Sequence, residues 1–184
     1  MARVPYLEKA DLAPEDQALL SRNINLHRAL VNSPGGARNF GRLGGYIRHK
    51  STLDSRLREL AILQVGYLAR SPYEYSHHIK IGREFGVTDD DIRGMIAETE
   101  GRPSTLLALD RTVLLSAREM TDAGKISAET YAALEQELSA EHLVDLVIVI
   151  SFYNAVVRLL ASLEIDVEPD YAPYLEEFPL PADD

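Results

Sequence analysis

The chain has 184 residues, 46% hydrophobic and 26% charged, the profile of a soluble globular protein able to bury a sizeable core. Nineteen basic against 29 acidic side chains leave a net charge of −10, which repels phosphate backbones and anionic lipid and argues against nucleic acid or a membrane surface as partner. There is no cysteine, which excludes disulfides, thiolate metal sites and thiol catalysis.

The opening MARVPYLEKADLAPED turns acidic before any apolar run, unlike a secretory signal, so a cytoplasmic location is expected. Pro14 and the acids after it predict a first helix reaching about Leu30. Asn32–Ser33–Pro34 with Gly35–Gly36 predict a break, followed by a short helical piece over residues 40–50. Leu57, Leu60, Ala61, Gln64 and Leu68 recur at helical spacing. Ile62, Leu63, Val65 and Tyr67 widen that apolar surface, predicting a mostly buried helix ending near Arg70. Ser71 and Pro72 supply a cap and first turn for a second helix ending at Gly86. Thr88 followed by three aspartates starts a short helix. Gly101 and Pro103 interrupt the chain before a helix over residues 104–124. Ser127 and Ser139 cap two further helices, the last being the longest and most apolar. Asp145, Asn154 and Arg158 lie within it, so a buried or subunit-contact helix explains it better than a membrane span. The expected organisation is one helical domain over residues 1–168 and an extended proline- and aromatic-containing tail over 169–184.

Chemistry concentrates in RLRELAILQVGYLARSPYEYSHH. Glu74 and His78 are four residues apart and share one helix face at contact distance. Glu59 lies on the preceding helix, from which a short turn would fold it back toward that pair. An imidazole beside carboxylates is suited to moving a proton near neutral pH, with the acid fixing a tautomer or stabilising the charged ring. His77 diverges from His78 by about one hundred degrees, which suits a backbone carbonyl or solvent. Adjacent histidines that diverge, with no HExxH pattern, give no dedicated metal site. Tyr67, Tyr73 and Tyr75 are packing residues first. Candidate substrate contacts are Arg42 and Arg48, which suit a carboxylate, together with Ser71, Tyr75 and His77.

The ordered features RLREL, YEYSHH and the following GVTDDDI resemble the carboxymuconolactone decarboxylase family within the alkyl hydroperoxidase D-like (AhpD-like) superfamily, over roughly residues 40–96. HLVDLVIVISFYNAVVRLL is similar to a further family stretch. The resemblance implies an all-α, AhpD-like helical bundle and a homo-oligomer, often a trimer or hexamer. The peroxidase branch carries a glutamate, a CxxC pair and a histidine. Here the matching positions are Glu59, Ser71, Glu74 and His78, so its thiol chemistry is lost. The decarboxylase branch keeps the acid and the histidine. It implies cofactor-independent loss of carbon dioxide from a carboxylated unsaturated lactone, with His78, Glu74 and Glu59 as catalytic residues and no cofactor or metal. A non-redox lactone isomerase, hydratase or hydrolase, or a non-catalytic binding homologue, is the alternative.

Overall fold

The computed structural model describes residues 2–181, and no strand forms among them. Met1 and the last three residues of the expected tail lie outside the described residues.

The amino-terminal segment departs from expectation. Pro14–Leu20 winds as a 3-10 helix, residues 21–24 break it, and α1 covers only Asn25–Leu30. Pro14 does sit in the first turn, but the Ser21–Arg22–Asn23 sequence favours a turn over continued helix. A small satellite core of Leu12, Leu20, Val31 and Ala37 fastens this segment down. α2, Pro34–His49, then runs through all five glycines expected to break or shorten it. Pro34 opens its first turn, and Ala37 and Ile47 anchor it, so tertiary packing overrides the glycine penalty.

α3 (Ser55–Leu68) is the centre of the bundle, with every residue from Leu57 to Tyr67 buried and with α4, α6 and α8 against it. α4 (Pro72–Glu84) returns along it after a three-residue turn. The amides of Arg70 and Ser71 bond back to the carbonyls of Tyr67 and Gly66 at 3.1 and 2.9 Å. This closes α3 with Arg70 in the left-handed region at φ 46°. Ser71 then caps α4, its side chain accepting from the Glu74 amide. Gly86, at φ 91°, lies two residues beyond α4, where the sequence placed the end of that helix.

α5 (Asp89–Thr99) starts with the reciprocal cap between Thr88 and Asp91. α6 (Ala108–Asp122) begins four residues later than the Ser104 start expected. Arg56 on α3 ties the two helices together, reaching Asp91 at 2.5 Å and Asp110 at 2.9 Å. α7 (Ala128–Glu137) and α8 (Ala140–Leu163) are capped by Ser127 and Ser139 as their sequences predict. α8 is long and apolar enough to cross a membrane, but here it forms part of the bundle core through Leu146, Val149, Ile150 and Val157. Its Asp145 accepts from Tyr46 at 2.9 Å and Ser51 at 2.5 Å, which accounts for an acid in that helix.

The carboxy-terminal segment is not the extended tail expected. Pro169–Tyr171 forms a 3-10 turn and α9 (Ala172–Glu177) lies against α4. Pro169 and Pro173 occupy first-turn positions, where a fixed φ favours helix, and Ile165 and Phe178 are buried on either side.

Candidate active site

The α3–α4 hairpin packs closely because it meets at glycines. A Cβ on Gly66 would lie 3.2 and 3.3 Å from the backbone N and Cα of Tyr75, and one on Gly82 would lie 3.2 Å from Val87 and 3.6 Å from the Glu59 Cβ. That spacing brings Glu59 on α3 to His78 on α4. Glu59 Oε2 lies 2.6 Å from His78 Nδ1, and Glu74 Oε1, one turn earlier on α4, lies 3.0 Å from His78 Nε2. Both ring nitrogens therefore face ionisable carboxyl groups, which as carboxylates only accept, so the ring fits as a doubly protonated imidazolium. Glu59 Oε1 also accepts from Arg58 Nε and Nη2 at 3.1 and 3.0 Å. Arg58 in turn lies over the Phe85 ring, 4.6 Å from its centroid.

All four side chains are buried: Arg58 2%, Glu59 1%, Glu74 3% and His78 3% exposed. Two acids and two cations make the cluster neutral overall, and this permits its burial. Desolvation alone would drive the proton off His78, but Glu59 and then Glu74 outweigh it and push the imidazole up to about 9. For Glu59 desolvation would raise the carboxyl, and the His78 and Arg58 charges overcome that and hold it below the ordinary carboxylate range.

A cavity of roughly 420 Å³ opens beside this cluster, between α1, α2, α4 and α8. Glu74, His78 and Tyr153 contribute to its lining, together with the apolar residues Phe40, Phe152 and Val156. Glu59 does not line it and lies behind the imidazole, on its Nδ1 side. Gly41, Gly44 and Gly45 line its α2 side. No atom stands near the Cβ position of Gly41 or Gly45, so these glycines leave open space there. The Tyr153 ring meets His78 edge-on at 5.0 Å. Its hydroxyl is pushed up by burial and by Glu74 and Glu59, against a hydrogen bond with Arg48, so it stays a neutral phenol.

The structure thus brings Glu59, Glu74 and His78 together, and it places Arg42, Arg48 and His77 on the cavity. Ser71 and Tyr75 are not there. Ser71 is committed to capping α4, and Tyr75 is wholly buried against Tyr67 and Gly66. His77 reaches the cavity but its nitrogens point elsewhere. Nδ1 donates to the Tyr73 carbonyl at 2.8 Å, and Nε2 lies 3.2 Å from Glu168 Oε2. Its ring is stacked between Tyr73 at 4.1 Å and Tyr171 at 3.6 Å, so the carboxy-terminal segment is clasped to α4 there.

Sequence reasoning missed Tyr153, Arg22 and His27 as cavity residues. Tyr153 looked like one more apolar position of α8, and Arg22 and His27 belong to the segment read as an ordinary first helix. Among the described residues, no group of three or more histidine, aspartate or glutamate side chains has the arrangement of a metal site.

The architecture is that of the AhpD-like helical bundle. An uncharacterized peroxidase-related protein from Ralstonia eutropha JMP134, described as an alkylhydroperoxidase AhpD core, superposes with a TM-score of 0.79 at 17% identity, covering 95% of each chain. A variant of the debrominase Bmp8 in complex with 2,3,4-tribromopyrrole gives 0.79 at 18% identity over 96% of this chain and 97% of its own. A peroxidase-related protein from Silicibacter sp. TM1040 gives 0.68 at 16%, over 93% and 97%. Within that fold, residues 34–105 match the carboxymuconolactone decarboxylase family, the stretch that supplies α2 to α5 and with them Glu59, Glu74 and His78. No curated protein is detectably similar in sequence.

Proposed function

We propose that the protein is a cofactor-independent decarboxylase acting on a carboxylated unsaturated lactone of the carboxymuconolactone type. The observation that carries this reading is the buried His78 ring, held between Glu59 at 2.6 Å and Glu74 at 3.0 Å and presented with Glu74 on the wall of a cavity. Decarboxylation needs a proton donor and a place for a transient carbanion, and both are provided by residues already named. As the carbon–carboxylate bond breaks, its electron pair enters the conjugated ring and carbon dioxide departs. The resulting enolate is neutralised by a proton added to a ring carbon.

The proton comes from the Nε2 end of His78. Glu74 occupies that nitrogen and lines the cavity, so it relays the proton toward the ring carbon. Glu59 is a positioning residue that keeps the imidazole charged and oriented through Nδ1. The neutral Tyr153 phenol, on the cavity wall beside His78, is assigned to the negative charge that grows on the lactone oxygen. With no cysteine in the chain, thiol peroxidation is not available to it.

We further take the protein to be a homo-oligomer, since α8 leaves Val144 59% exposed and α2, whose Tyr46 reaches Asp145 of α8, leaves Leu43 and Tyr46 exposed. A molar mass of one chain by light scattering would contradict this.

Incubating catalytic amounts of protein with gamma-carboxymuconolactone tests the reaction. Carbon dioxide and the enol-lactone should form together, and His78→Ala should abolish both. A wild-type protein that releases neither is not this decarboxylase.

A further inference from the structure

The charge around the cavity runs opposite to that of the chain. On a protein of net −10, Arg22, Arg42 and Arg48 all line the cavity, and among the described residues none of the three has a carboxylate partner. Arg38, also on the wall, is neutralised by Asp16 at 2.5 Å. Glu74, the carboxylate among the lining residues, is already engaged with His78. Arg22 and Arg48 are near enough to repel, since partial desolvation and then the Arg48 charge depress the Arg22 guanidinium. His27 lies beside both. Burial and the Arg22 charge push it down to about 4, so it stays neutral, and its Nδ1 is buried without a hydrogen-bond partner. Two guanidiniums without carboxylate partners around one space, with a neutral imidazole beside them, form a receptor for an anion.

Arg22 and His27 come from residues 21–30, which precede the matched family region, so this chain's own amino-terminal segment completes the receptor. We infer that Arg22, with Arg48 and walled by the neutral His27, is the specificity-determining anion subsite, and that it selects organic carboxylates over neutral analogues. Within the decarboxylase reading, on which the substrate's identity rests, the group held there is an acid that does not leave. A firm grip on the departing carboxylate would stabilise the ground state and oppose the reaction.

The test separates the subsite from the chemistry. Benzoate and its neutral analogue benzamide are titrated calorimetrically into the full-length protein, the Arg22→Gln variant and the Arg22→Lys variant, with thermal unfolding as a check on folding. Wild-type protein should bind benzoate at least about tenfold more tightly than benzamide. Arg22→Gln should lose about tenfold for benzoate and nothing for benzamide, and Arg22→Lys should recover part of the loss. Equal affinity for the two probes, no benzoate binding, or a folded Arg22→Gln variant that binds benzoate like wild type overturns the subsite. With the lactone, Arg22→Gln should raise KM and leave kcat nearly unchanged. Turnover with an unaltered KM removes the subsite but not the decarboxylase. Arg22-dependent benzoate binding by a protein that releases no carbon dioxide keeps the subsite and removes the decarboxylase.

Discussion

Raising the pH through the mildly alkaline range should destabilise the folded protein, and replacing Glu59 by glutamine should weaken that dependence. The His78 imidazole moves from 6.5 in an exposed chain to about 9 in the fold, which corresponds to about 3 kcal/mol of preferential proton binding by the folded state. The sign follows from the raised value: this stability is fully present below 6.5 and is lost as the pH climbs through about 9. Other shifted groups act in other windows. His27, pushed down to about 4, removes stability as the pH falls below 6.5, and the lowered Glu59 carboxyl titrates in acid. In Glu59→Gln, Arg58 and His78 would face each other without the acid between them, so the imidazole, left with Glu74 alone, holds its proton less tightly. Breaking the buried pair also costs roughly 3–5 kcal/mol at pH 6.5. Urea denaturation followed by far-UV circular dichroism at closely spaced pH values reads both effects. A wild-type stability that is flat between 6.5 and 9, or a slope that survives unchanged in Glu59→Gln, would refute the reasoning.

Glu74→Gln keeps the shape of the site and removes the relay, so kcat for carbon dioxide release should fall by roughly 10²–10⁴ in protein shown to be folded by circular dichroism, and the thermal midpoint should fall as well because one of the two buried carboxylates beside His78 is lost. Gly66→Ala places a methyl group 3.2–3.3 Å from the Tyr75 backbone, which cannot swing aside. It should cost about 1–3 kcal/mol by denaturation and lower kcat as Glu59 and His78 are pushed apart. Phe178→Ala empties a buried position in the segment after α9 and should cost about 3–5 kcal/mol, whereas a freely extended segment would lose nothing.

Local signals and the periodic pattern made the middle of the chain legible. Ser71, Thr88, Ser127 and Ser139 each cap the helix that their sequences announce, and α3 is buried along the face read from its leucines. The pairing of Glu74 with His78 is a property of one helix and needs only the spacing. The approach of Glu59 was less secure, because it depends on how closely two helices pack. Gly66 and Gly82 fix that distance, and nothing in a single sequence marks a glycine as a contact rather than a weak point. The same ambiguity concealed the extent of α2, whose Gly35–Gly36 pair read as a break and whose other three glycines left only a short helical piece. The carboxy-terminal segment was misread for a related reason: Pro169 and Pro173 look like helix breakers unless they fall in a first turn. Arg22 and His27 gave no local signal at all, since only the tertiary fold carries them to the cavity.

Nitrogen-15 NMR of the imidazole side chains, with His78 assigned through its His78→Gln variant, addresses the proton donor itself. At pH 7.5 both nitrogens of His78 should carry protons, and the ring should titrate near 9. A ring that is neutral at that pH and titrates at or below 6.5 would contradict the account, because no proton would be stored where the reaction needs one.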